Sequence, residues 1–344
     1  MARAAGGSSG QDSIGQVENA HLLPCEQNGP HGEYVGGVYG ADAVPVDLAR
    51  RRTDSTDPAV HAPSLSAPAL HRTVGGFEQG GYGAYLDEAV FGGFVFAGWG
   101  HVLTESLGTA WAASSVPPEM PVLYMPWGRV WLPTLRPTID LLKAAWEGRN
   151  IVVLHTETMV GRLHVPQNHM RLDLIMDHHA SIDSAMSVVY ERIAADLIPE
   201  GSAIPSNVLV LRRGATHRRR WPEEEEFYAL CEQEGWQVYD PAEHSLADQA
   251  LACRSARVVI GFSGSQLHNS VFASSETQVI EVLDERDQQR RAVGCRLLQD
   301  AVAGLREQSH SVVLSMADVG VPRSVNDVFS EARDRVLSVV GTEE

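Results

Sequence analysis

Apolar positions recur along the chain at two spacings, and each predicts a different element. AVFGGFVFAGW (89–99) is an apolar run of strand character, whereas HVLTESLGTAWAA (101–113) sets Val102, Leu103, Leu107, Ala110 and Trp111 at helical spacing. VLYM (122–125) and NIVVLH (150–155) are buried-strand candidates, with TIDLLKAAWEG (138–148) predicted as the helix between them. DSAMSVVYERIAADLI (183–198) reads as an amphipathic helix that stops at Pro199, since proline cannot donate the next backbone hydrogen bond.

The alternation becomes regular further on. NVLVLRR (207–213), EEEEFYALCEQEG (223–235), WQVYD (236–240), SLADQALACRSA (245–256), RVVIGF (257–262), SQLHNSVFAS (265–274) and QVIEVL (278–283) alternate strand and helix, the rhythm of a parallel sheet covered on both faces. SVNDVFSEARDRVLSVV (324–340) is a terminal helix with Ser324 as its N-cap. Residues 1 to about 20 and 52–71 are rich in Gly, Ser, Pro and Asp and read as tail and loop, while EYVGGVYGADAVPVDL between them has the character of a short hairpin. The expected organisation is a flexible N-terminal segment with a short hairpin (1–71), an α/β domain (72–200), a second α/β domain (201–318), and a C-terminal helix (319–344) packing back across the domains.

Composition narrows the function classes. Hydrophobic residues make up 44% of the 344 positions and charged residues 21%, so the bulk is globular. A net charge of −17 argues against a broad electrostatic grip on nucleic acid or on an anionic membrane face. Lys143 is the only lysine, so nearly every cation is a guanidinium, the better fork for phosphate oxygens, although base composition of the genome is the plainer reason. Cys25, Cys231, Cys253 and Cys295 lack Cys-x-x-Cys spacing and suggest neither a disulfide framework nor a zinc knuckle. No signal-peptide core and no apolar run of bilayer length is present, so a cytoplasmic protein without an integral membrane span is expected.

In an open parallel sheet, ligands bind beyond the carboxyl ends of the strands, so the residues just after each strand carry the chemistry. Gly261-Phe262-Ser263-Gly264-Ser265 joins a strand to a predicted helix; its free amides, with Ser263 and Ser265 hydroxyls, suit a diphosphate, or they form an ordinary capped connection. Arg212-Arg213 ends the strand VLVL and is followed by Arg218, Arg219 and Arg220; these guanidinium groups either neutralise a departing nucleotide or pair with the run Glu223–Glu226. His101 and Glu105 lie four apart and can orient each other as base and partner toward a sugar hydroxyl, or pair for structure alone. Glu281, read as ending the strand QVIEV, is a candidate for ribose hydroxyls, or is an exposed strand-end acid. His178-His179, with His155, His164 and His169, lack a metal-like spacing and read as structural or surface groups, and Trp99, Trp111, Trp127, Trp131 and Trp146 read as core or interface rather than as sugar platforms.

Taken in order, these segments resemble glycosyltransferase family 61 over roughly residues 88 to 285. GWGHVLTESLGTAWA (98–112) looks like the family's Gly-His-x-x-x-Glu helix start, carrying His101 and Glu105. VLVLRRGATHRRRWPEEEEF (208–227) looks like its Arg-bearing strand and second Arg pair, with Arg212, Arg218 and Arg219. SLADQALACRSARVVIGFSGSQLHNSVF (245–272) and QVIEVL look like its Gln-bearing helix, its strand with a Gly-rich turn and Asn, and its acid-ended strand, with Gln249, Gly264, Asn269 and Glu281. The turn departs from the usual His-Gly-Ala-Gly-Leu-Thr-Asn: Ser263 stands for the His, Gln266 for the second Gly and His268 for the Thr, and Pro222 stands where an Asn is usual.

The resemblance implies a GT-B-like α/β fold, two Rossmann-like domains facing across a cleft, with nucleotide mainly in the second and acceptor mainly in the first. It implies an inverting, metal-independent transfer from a nucleotide-sugar co-substrate, expected to be UDP-linked, with no tightly bound cofactor. Arg212, Arg219 and the Ser263–Ser265 turn would hold the diphosphate, Glu281 and Asn269 would help seat the nucleoside, Arg218 and Gln249 would belong to the same nucleotide site, and His101 or Glu105 would accept the acceptor proton. A homodimer is compatible with this reading. A non-catalytic nucleotide- or glycan-binding protein and a nucleotide-sugar epimerase are the alternatives.

Overall fold

The computed structural model describes residues 13–27, 34–42, 44, 46–49, 84–96, 98–127, 136–170, 184–202, 206–213, 221–292, 298–318 and 321–341. The protein is mixed α/β and divides into two compact units interleaved in sequence. The first comprises Met1–Val95, Ala112–Val130 and Arg149–Asn168, and the second Phe96–Trp111, Trp131–Gly148 and His169–Glu344. This differs from a single boundary near residue 200, because the helical segments between the early strands are packed within the second unit.

In the first unit, β1 (Ile14–Gln27), β2 (Tyr34–Tyr39), β3 (Ala84–Val95), β4 (Val122–Pro126), β5 (Ile151–Val153) and β6 (Thr158–Pro166) form a sheet in the order β2-β1-β6-β3-β4-β5. β6, β3, β4 and β5 run parallel, and β1 joins antiparallel to β6 and β2. The central position of β3 explains its unbroken buried run from Ala89 to Val95. β1 overturns the expectation of a tail up to about residue 20. Its polar residues Gln16 and Glu18 are exposed, with Glu18 held by Arg162 across the sheet at 3.1 Å, while Ala20 and Leu22 are fully buried. β2, which lies in the segment read as a hairpin, pairs antiparallel with β1, with His21 opposite Tyr39, and within the segment Gly40 N donates to Val44 O and Val46 N to Val38 O.

The second unit contains α1 (Trp99–Leu103), α2 (Arg136–Ala145), α3 (Ser184–Leu197), β7 (Ser206–Leu211), α4 (Glu224–Gln233), β8 (Gln237–Tyr239), α5 (Leu246–Ser255), β9 (Ala256–Phe262), β10 (Gln278–Leu283), α6 (Glu285–Ala292), α7 (Leu298–Leu305), β11 (Ser309–Leu314) and α8 (Val325–Val340). Its sheet is wholly parallel in the order β11-β10-β9-β7-β8. Counted from β7, this is the doubly wound order 2-1-3-4-5, and the winding reverses between β7 and β9. The carboxyl ends of those two strands are Leu211 and Phe262, so Arg212, Arg213 and Ser263 stand at the switch point.

On one face, Val208, Val210, Val258, Ile260, Phe262, Ile280, Val282 and Val313 pack with Phe227, Tyr228 and Cys231 of α4 and with Val325, Val328, Ala332 and Val336 of α8. The terminal helix, expected to reach back across the domains, thus buries its apolar stripe on the sheet of its own unit; Ser324 caps it, accepting from Asp327 N at 3.2 Å. A second correction concerns 265–274. Instead of an α-helix, a turn leads into a 3-10 stretch, Leu267–Phe272, too short and loosely bonded to add much helix dipole.

Candidate active site

α1 is flanked by Gly98 at its N-cap and Thr104 at its C-cap, whose φ of −109° and ψ of −80° interrupt the helix; Glu105 starts a 3-10 turn. Despite the break, His101 Nδ1 lies 2.6 Å from Glu105 Oε1. The side chain of Glu105 is 3% exposed and that of His101 44%, so the carboxylate is the inner member and the imidazole faces outward. The buried carboxylate accepts from Nδ1–H, which leaves the lone pair on Nε2, and Nε2 takes no hydrogen bond among the described residues. The floor is fixed by Thr104 Oγ1 donating to Gly100 O at 2.8 Å and by the Tyr190 hydroxyl donating to Leu103 O at 2.5 Å.

The same segment lies against the turn that follows β9. A Cβ added to Gly100 would stand 2.6 Å from His268 Cδ2 and 3.1 Å from Ser265 Oγ, so only glycine permits this approach. On one flank of Gly100, Trp99 Nε1 donates to Asn269 Oδ1 at 2.9 Å. His101 occupies the other flank, since successive helical residues are about 100° apart. The segment that carries His101 and Glu105 and the turn that carries Ser265 and Asn269, remote in sequence, therefore meet through Gly100 and Trp99 inside one unit. His268, which stands where the family's turn carries Thr, is buried; Nδ1 meets Gln299 Oε1 at 3.0 Å, and Gln299 Nε2 donates to Ser270 Oγ at 2.9 Å. Burial lowers the His268 pKa to about 4, so it is neutral at physiological pH.

The turn itself is shaped by Gly264, at φ 154°, a conformation in which a side chain is strained. Its face is covered by Gln266, whose Nε2 approaches Phe262 O at 3.4 Å and whose carboxamide would meet a Cβ on Gly264 at 3.1 Å. Gln249, on α5, donates from Nε2 to Pro241 O at 2.7 Å and to His244 O at 3.1 Å, and its Oε1 accepts from Asn269 Nδ2 at 3.2 Å. These two amides are directed at each other rather than at an open pocket.

The arginines are arranged otherwise than their order suggested. Arg212 pairs with Glu225 and lies 5.2 Å over the Tyr228 ring, so its charge is directed along α4. Arg213, read with Arg212 as either a phosphate group or a partner of the Glu223–Glu226 run, is fully buried at the switch point and takes the second role. It bonds Glu224 Oε1 at 3.2 Å and Asp284 Oδ2 at 3.4 Å, donates to Ser263 O at 3.3 Å and stacks 4.8 Å over Phe262. It therefore ties the ends of β7, β9 and β10 together. No alternation pattern distinguishes Arg213 from Arg212, because both follow the last strand residue; the partners Glu224 and Asp284 are the signal. Arg218 and Arg219 lie outside the described residues, as do His178, His179 and Trp131.

Glu281 is not at a strand end. β10 continues to Leu283, and Glu281, 1% exposed, faces His310 at 3.3 Å, which in turn meets Asp300 at 3.2 Å. The carboxylate beyond the strand is Asp284, the partner of Arg213. Burial alone would lower the His310 pKa, but the Asp300 and Glu281 carboxylates beside its two ring nitrogens raise it to about 9. Among the described residues no group of three or more His, Cys, Asp or Glu is placed to hold a metal ion, and no helix is long and apolar enough to cross a membrane.

Comparison with known proteins bears on residues 99–280, which match the family model described as Glycosyltransferase 61. No curated protein matches the chain. Among solved structures, the E. coli heptosyltransferase WaaC with ADP is similar at 12% identity and a TM-score of 0.35, over 72% of this chain and 99% of that one. The family match contains α1 with His101 and Glu105, the switch point, and the turn with Asn269, and it covers more than half of the sequence. The chain belongs to glycosyltransferase family 61.

Proposed function

We propose that this transferase moves a sugar, hexose or pentose, from a UDP-linked donor to a hydroxyl acceptor with inversion, using His101 as the base. The GT-B-like class, a cytoplasmic setting and departure of the nucleotide without a bound metal belong to the same reading. The observation that carries it is the His101–Glu105 pair, held beside the turn at the switch point of a doubly wound sheet, where such folds bind ligands. Of the two candidates, His101 is the better base, because Glu105 is buried behind it and fixes its tautomer.

In the proposed step, His101 Nε2 takes the proton of the acceptor hydroxyl while the oxygen bonds to the anomeric carbon. The bond from that carbon to the diphosphate oxygen breaks, and the nucleoside diphosphate leaves with the electron pair. The proposed diphosphate site is the Ser263–Ser265 turn, with Gln266 displaced from Gly264 on binding. Arg212, Arg218 and Arg219 remain proposed anion partners from the family resemblance. A thermal-shift screen against nucleoside diphosphates and their sugars tests the site, because a ligand that binds only the folded state raises Tm. A rise with UDP and UDP-sugars supports the reading, and no rise with any nucleotide counts against it.

A further inference from the structure

We infer that Trp99 is a sugar-ring platform and that Gln249 and Asn269 are positioning residues that lock it, an inference that rests on the transferase reading of the same site. The three side chains form one directional relay. The carbonyl oxygens of Pro241 and His244 accept only, so they fix the Gln249 amide nitrogen toward themselves. Gln249 Oε1 must then face Asn269, whose Nδ2 donates to it at 3.2 Å, and Asn269 Oδ1 is left for Trp99 Nε1 at 2.9 Å. Each amide has a single orientation that satisfies its neighbours, and the chain of bonds begins on backbone, which side-chain motion cannot easily reorient.

The indole is partly exposed, and its one donor is engaged by Asn269. What it can offer a ligand is the π-face, which attracts C–H groups and apolar surface. A pyranose supplies such a face through its axial C–H bonds. Trp99 and His101 flank the same glycine, and that glycine packs on the turn proposed for the diphosphate. A ring resting on Trp99 is thus close to the reacting centre, where sugars lie. A nucleobase sits a diphosphate and a ribose away from the anomeric carbon, which makes it the poorer fit to this position.

The test is calorimetric titration of the full chain with UDP, with a panel of UDP-sugars and with methyl glycosides, using wild type, W99F, W99A, N269A and W99F/N269A. W99A is expected to weaken sugar-bearing ligands by about tenfold, the scale of one lost aromatic contact, with UDP alone within about twofold. W99F keeps a ring face but loses the lock, so it binds sugar as N269A does and better than W99A, which guards against a variant that merely misfolds. N269A weakens sugar binding in the wild-type background and adds nothing in W99F, because phenylalanine has no N–H for Asn269 to hold. A Trp99-dependent gain confined to UDP-sugars identifies the donor sugar, and one seen with methyl glycosides identifies the acceptor; both support the inference. Equal weakening of UDP and UDP-sugars by W99A assigns the face to the base and overturns it, as does unchanged affinity in W99A. Wild type that binds UDP but gains nothing from any sugar also overturns it while sparing the transferase reading. Glycosides that bind through Trp99 with no nucleotide binding at all do the reverse.

Discussion

His101 Nδ1 and Glu105 Oε1 are 2.6 Å apart although the helix that begins at Trp99 ends at Leu103, so their pairing depends on the 3-10 turn that follows as much as on helical spacing. The buried carboxylate holds the imidazole with its lone pair outward, the arrangement a base needs.

Glu105→Gln can place its amide nitrogen toward Nδ1 and so move the imidazole proton to Nε2. Turnover is expected to fall by about 100-fold or more with nucleotide affinity little changed, on the scale of a lost general base. Steady-state kinetics checks it; a raised KM with intact kcat would place Glu105 in binding instead.

Gly100→Ala drives a Cβ to 2.6 Å from the His268 ring, which Gln299 pins from behind. Overpacking of this kind costs about 1–3 kcal/mol. Denaturant unfolding is expected to show the loss, together with reduced turnover; a variant as stable and active as wild type would mean that the ring swings aside freely.

Removing Arg213 leaves Glu224 and Asp284 facing each other's buried surroundings without the cation that joins them. Arg213→Ala is expected to lose about 3–5 kcal/mol, whereas Arg212→Ala, at a half-exposed pair, loses under about 1 kcal/mol. Comparing the two unfolding midpoints decides which arginine is structural.

The His310 pKa is raised from 6.5 to about 9 by Asp300 and Glu281, against the effect of burial. The folded state therefore holds a proton that the unfolded chain has lost between those values. This stabilisation is full below pH 6.5 and disappears as pH rises through about 9. Wild-type Tm is expected to fall across that window and His310→Gln to flatten the fall; an unchanged slope in the variant would place the proton elsewhere.

Much of the second unit was legible because each buried parallel strand is a short apolar run closed by a turn, as in VLVL and RVVIG. β1 was not, since a strand with one exposed face reads as polar when its partners, such as Arg162, are remote in sequence. The site divides the same way. His101 and Glu105 are neighbours in the chain and could be paired on paper, whereas Trp99 with Asn269, and Arg213 with Asp284, are joined only by tertiary packing. Glu281 was misplaced because a strand end cannot be fixed to within two residues by composition, and those residues decide whether a carboxylate meets solvent or His310.

The most direct test is release of nucleoside diphosphate from UDP-sugars, with acceptor glycosides present, by wild type and by His101→Ala. Wild type is expected to turn over, and His101→Ala to lose about 100-fold to 10,000-fold in kcat while still binding UDP. Equal turnover by the two proteins would contradict His101 as the base, and a wild type that releases no nucleotide from any donor would contradict the proposed transfer.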